Sequence, residues 1–145
     1  MLKPIPVRVL IESRITAPDG TIDTLRQTHR GSLHCASDGA TSLRYTEESE
    51  SGRTLSEVAV SSDGTRVTIN RRGAVCTYME FAAGKTHQTL YEVPPYRFDM
   101  EIACHTLRAS MGMFGGQVRL EYTHRVGGEE NRIAFLLTAT VGGKP

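Results

Sequence analysis

The sequence predicts an all-β domain, an antiparallel up-and-down barrel of about eight to ten strands, with a β-sandwich as the alternative. Three observations carry this. Apolar and polar residues alternate with a period of two through most of the chain, and helical periodicity is absent. Short turns rich in Gly, Asp and Pro separate the alternating runs, so successive strands are joined as hairpins. Each run has a single apolar face, which obliges the sheet to close on itself or to pack on a second sheet, and closure removes exposed edges.

Taken in order, residues 5–16 set Ile5, Val7, Val9 and Ile11 against Pro6, Arg8, Leu10 and Glu12, with Leu10 the one exception, and Ala17-Pro18-Asp19-Gly20 turns the chain. From Thr21 to Ala36 the alternation is weaker, and Gly31 in mid-run suggests a bulge or a bend. Ser37-Asp38-Gly39 leads into a strand with Leu43 and Tyr45, and Glu47 to Arg53 reads as a polar loop. Val58 and Val60, a Ser62-Asp63-Gly64 turn, and Val67 with Ile69 follow. Arg71 to Tyr96 reads as one long hairpin. Val75, Thr77, Met79 and Phe81 point inward on its first arm, and Ala82-Ala83-Gly84 suits a three-residue loop with Gly84 left-handed. That register puts His87, Thr89, Tyr91 and Val93 on the same inward face, a polar stripe in an apolar surface. Pro94-Pro95 breaks pairing before a strand with Phe98, Met100, Ile102 and Cys104 on one side. Gly112 to Gly116 is a hairpin loop, Val118 to Val126 is the cleanest strand, and Gly127-Gly128 precedes a last strand with Ile133, Phe135, Leu137, Ala139 and Val141 inward.

The residues of the central hairpin also resemble a family. Arg71-x-Gly73, Met79-x-Phe81-x-x-Gly84-x-x-His87-x-x-Leu90-Tyr91, Pro94 and Met100-x-Ile102 are similar to the YwiB-like family of small bacterial proteins. Pro6-Val7-Arg8-Val9 and Gly116-x-Val118-x-Leu120-x-Tyr122 extend the likeness over nearly the whole chain, with Pro95 and residues 110–114 as departures. The resemblance implies a calycin-like, lipocalin-like barrel. It implies no reaction, since the family brings no catalytic residues to carry over.

At 145 residues the chain is expected to be one domain spanning 1–145. The net charge is +1, aromatic residues make up 6% and Trp is absent, which argues against nucleic acid as a partner. The alternating N-terminus lacks the apolar core of a signal peptide and nothing reads as a membrane span, so the expectation is a cytoplasmic protein. Self-association into a homo-oligomer is left open. The three cysteines, Cys35, Cys76 and Cys104, have no paired spacing and read as free thiols, Cys35 and Cys104 inward and Cys76 outward.

Candidate chemistry is sparse. His29 and His34 lie five apart on one strand and face opposite sides, so with Cys35 they make no metal site, and no cofactor is expected. Asp99 and Glu101 sit on a solvated face with nothing to desolvate them, residues 112–116 lack the lysine of a phosphate loop, and no Gly-x-Ser-x-Gly elbow occurs. What remains is the polar inward set: His87, Thr89 and Tyr91, Tyr122 and His124, and His29 with Gln27. Structural accounts exist for each, a tyrosine keeping its hydroxyl wet or a neutral histidine bonded to a carbonyl. Together they predict a site for a small, partly apolar ligand in the lumen, with His87 and Tyr91 as its polar end. The alternative is a structural or interaction module with a packed interior, and an enzyme ranks third.

Overall fold

A computed structural model describes residues 3–142, and residues 1–2 and 143–145, the ends of the expected domain, lie outside the described residues. Ten antiparallel strands form a closed barrel: β1 (Ile5–Thr16), β2 (Ile22–Cys35), β3 (Thr41–Ser49), β4 (Gly52–Val60), β5 (Val67–Gly73), β6 (Cys76–Phe81), β7 (Thr86–Val93), β8 (Tyr96–Gly112), β9 (Gly115–Val126) and β10 (Glu129–Val141). Each strand neighbours its successor, and ten residue pairs between β1 and β10, from Val7 opposite Val141 to Thr16 opposite Arg132, close the ring. Among the described residues every regular element is a strand.

The alternation explains the inside and the outside. Val7, Val9 and Ile11 of β1, Val118, Leu120 and Tyr122 of β9, and Leu137 and Ala139 of β10 are buried, while Arg8, Arg14, Arg119, Glu121 and Arg125 on the opposite faces are exposed. Packing is densest toward the end that carries turns 36–40, 61–66 and 82–85, where Leu33, Leu43, Val67 and Phe81 are almost wholly enclosed. Toward the other end inward positions open up: Leu25 is 51% and Phe98 41% exposed.

Several local expectations change. Glu47 to Arg53 is not a loop: β3 continues to Ser49 and β4 starts at Gly52, because Leu43, Tyr45 and Glu47 keep the inward phase and Thr54 and Ser56 keep it on the return. Gly31 carries no bulge. It is the residue of β2 from which pairing with β3 begins, opposite Tyr45, and a Cβ there would lie 2.6 Å from the Arg44 carbonyl oxygen, so the close approach of the two backbones there requires a glycine. The register of β8 against β9 shifts instead between Cys104 and Thr106. Pro94-Pro95 is the two-residue turn between β7 and β8, which pair up to Val93 opposite Tyr96, and only Met113-Phe114 forms the tip between β8 and β9, since Gly112 pairs with Gly115.

The central hairpin is the largest departure. Gly84 is left-handed as expected, at φ 77°, in a turn closed by Lys85 N donating to Ala82 O at 3.0 Å. Yet β6 and β7 share only two residue pairs, Cys76 with Glu92 and Thr77 with Tyr91. The inward phase nevertheless holds, with Thr77 and Phe81 buried and Met79 and Tyr91 packed against the core. A second short seam lies between β2 and β3, paired only from Gly31 opposite Tyr45 to Cys35 opposite Thr41.

Candidate functional site

The polar inward residues occupy three places. His87 of β7 faces Ile102 of β8, which faces His124 of β9, so the two histidines flank a fully buried isoleucine in one row across the sheet. Two strand spacings separate them, about 10 Å. Thr89 and Tyr91 lie opposite Met100 and Phe98. His87 Nε2 is buried with no hydrogen-bond partner, and its ring meets Tyr78 edge-on at 6.1 Å. The structure therefore puts His87 and Tyr91 on one face but fills the space between them and His124 with Ile102 and Met100.

Tyr122 and His124 are neighbours on β9, with ring centroids 6.5 Å apart. Tyr122 packs edge-on against Phe81 at 4.8 Å, and burial raises its phenol pKa above the ordinary range. Asn131 Nδ2 donates to His124 Nε2 at 3.2 Å, and burial lowers the imidazole pKa, opposed in part by the charge of Glu129. His29 stands apart from these. It donates from Nε2 to Gln27 Oε1 at 3.2 Å and stacks on Tyr45 at 5.0 Å.

Beside that stack is an internal ion pair that the sequence reading missed. Arg71 Nη2 donates to Glu47 Oε1 at 3.0 Å, and the same oxygen accepts from Ser56 Oγ at 2.8 Å. Both charged side chains are largely enclosed, at 25% and 18% exposure. Burial, with the Glu47 charge second, pushes the Tyr45 phenol up, and the Arg71 charge bears on both Tyr45 and Tyr122. The signal was present: Glu47 continues the phase of Leu43 and Tyr45, and Arg71 that of Val67 and Ile69. Reading Glu47 as part of a loop removed it from the lumen.

A concave region lies elsewhere, at the densely packed end. It is a groove of about 880 Å³ built where the β2–β3 and β4–β5 turns meet the strands they join. Cys35, Ala36, Ala40, Ala59 and Val60 give it apolar walls. Each turn carries Ser-Asp-Gly, and each aspartate is used by its own turn. Asp38 Oδ1 accepts from Ala40 N at 2.9 Å, and Asp63 Oδ1 accepts from Ser61 Oγ, Thr65 Oγ1 and Thr65 N at 2.8, 2.8 and 3.1 Å. Those bonds, that of Ser61 first, hold the Asp63 carboxyl at about 2. The turns touch: a Cβ on Gly39 would sit 3.5 Å from Ser62 Cβ. Thr41, also lining the groove, is 5% exposed and its hydroxyl has no partner. Small walls, a few hydroxyls and one arginine at the rim, Arg66, make up this groove, and His34 in its lining is hydrogen-bonded to Ser32 Oγ at 3.1 Å.

Comparison with known proteins agrees with the barrel. A family model described as a domain of unknown function (DUF1934) matches residues 9–134. Among solved structures, the crystal structure of ywiB protein from Bacillus subtilis is similar with a TM-score of 0.87 at 20% sequence identity, over 98% of this chain and 95% of that one. At that identity the likeness bears on the fold alone. No curated protein matches the chain.

Proposed function

We propose a non-enzymatic binding function for this chain, which belongs to the DUF1934 family, a family described only as a domain of unknown function. The ligand is small and partly apolar, and the packed barrel is the frame that holds its site. One observation carries this reading: a preformed groove of about 880 Å³ with apolar walls. That volume falls within the range of pockets for small molecules, about 300–1,000 Å³. A ligand within the lumen would contact His87, Thr89, Tyr91, Tyr122, His124 and His29. Against that placement stand Phe81, Met100, Ile102 and Leu120, whose side chains are buried in the barrel core.

Native mass spectrometry of the protein purified from its host tests the reading by looking for a retained small molecule. A bound species that is lost in Ala59→Gln, which narrows the groove, supports it, and a ligand retained by that variant but lost in Ile102→Trp would move the site to the lumen. A second reading, an interaction module with a packed interior, is favoured by the tip between β8 and β9, where Phe114 is 85% and Met113 54% exposed.

A further inference from the structure

We infer that the groove selects small amphiphiles carrying one anionic head group, seated against Arg66; this rests on the binding reading above. Arg66 is the cation at the rim of a groove whose lining includes no aspartate or glutamate. Its backbone is fixed from both sides, since Ser61 N donates to Arg66 O at 3.0 Å and Arg66 N donates to Ser61 Oγ at 3.0 Å. Its guanidinium is not. Among the described residues the one carboxylate paired with it, Glu80, lies 3.9 Å away, and the two side chains are 69% and 41% exposed. An ion pair that long and that wet is worth little, so a ligand anion able to accept two parallel hydrogen bonds displaces it.

The nearby aspartates keep their charge, but the Oδ1 atoms of Asp38 and Asp63 are turned into their own loops, so neither occupies the Arg66 guanidinium. Below the rim the walls are small side chains, Cys35, Ala36, Ala40, Ala59 and Val60, which leave room for an apolar body instead of filling it. Thr41 also borders the groove, facing Cys35 on one neighbouring strand and Val60 on the other, but its hydroxyl is enclosed by protein and is not presented to a ligand. Charge at the rim and apolar walls together describe an anionic amphiphile.

The test compares two fluorescent probes that share an apolar body and differ in charge, 8-anilinonaphthalene-1-sulfonate and N-phenyl-1-naphthylamine, on the folded full chain. The wild type should bind the sulfonate about tenfold more tightly, and Arg66→Gln should remove that preference while leaving the neutral probe unchanged. Ala59→Gln, and Ser42→Gln as a second blocking variant, should weaken both probes, with melting curves confirming that each variant is folded. Equal binding of the two probes, unaffected by Arg66→Gln but lost on blocking the groove, would overturn the anionic preference and leave the binding reading standing. Failure of the wild type to bind either probe, or binding indifferent to both blocking variants, would overturn the two together.

Discussion

β1 and β2 face one another through twelve residue pairs, from Ile5 opposite Leu33 to Thr16 opposite Ile22, whereas β6 and β7, joined by a turn of similar length, keep only two. The difference lies in what else each arm can hold. Before Gly31, β2 has no partner but β1, because β3 joins it only from that residue on. β6 is tied to β5 through five pairs and β7 to β8 through eight, so each arm of the central hairpin has a second strand competing for it. Even the tip is drawn to β8: Gly84 N donates to Cys104 O at 2.9 Å and Cys104 N to Lys85 O at 3.0 Å. Where the β6–β7 ladder stops, Thr77 Oγ1 donates to Leu90 O at 2.8 Å, a side chain bridging the two backbones. A short loop makes two strands neighbours; the outer partners decide how far they zip.

Core truncation on the two sides should differ most. Leu33→Ala removes a fully buried side chain from the zipped hairpin and should cost about 2–5 kcal/mol in urea unfolding, whereas Leu90→Ala, 38% exposed at the open seam, should cost less than about 0.5 kcal/mol. Equal losses would mean that the seam is closed in solution. Next in size is the internal pair. Glu47→Gln leaves Arg71 without its counter-charge and should lower stability by about 1–3 kcal/mol, and Glu47→Gln with Arg71→Met should recover part of that loss. If the double variant is no better than the single one, the pair is not what couples β3 to β5.

Thr77→Val keeps the shape of the side chain and removes the bond to Leu90 O, for a loss of about 1 kcal/mol. It should also speed amide exchange over Tyr78–Phe81 while leaving β1 and β2 unchanged, since local opening follows the weaker ladder. The smallest effect is on pH. Burial holds the His124 pKa below its ordinary value of 6.5, so the folded state takes up its proton later than the unfolded state. The stability tied to this group is complete above pH 6.5 and falls as pH drops from there through the lowered folded value. His124→Gln should flatten the stability profile in that window, and an unchanged slope would show that the imidazole is solvated in the fold.

Much of the barrel was legible in the chain because the alternation of Val118 to Val126, or of Val7, Val9 and Ile11, is a local property: successive side chains of an extended backbone point to opposite faces. The turns at Ser37-Asp38-Gly39, Ser62-Asp63-Gly64 and Gly127-Gly128 were legible for the same reason, since the dihedral angles they need belong to those residue types. Of the candidate site residues, the faces of Tyr122 and His124 could be assigned, but not that Ile102 would stand between His124 and His87. That depends on three strands brought side by side.

The sequence by itself thus determined the strands, their inward faces and the hairpin order, all set by interactions between residues near one another along the chain. Only the tertiary structure decided that β6 and β7 would part, that Glu47 and Arg71 would meet inside the barrel, and that two separate Ser-Asp-Gly turns would touch at Gly39 and Ser62 to frame one groove. Those outcomes are set by competition between strands for partners and by the closure of the ring, and neither leaves a mark in the local pattern of residues.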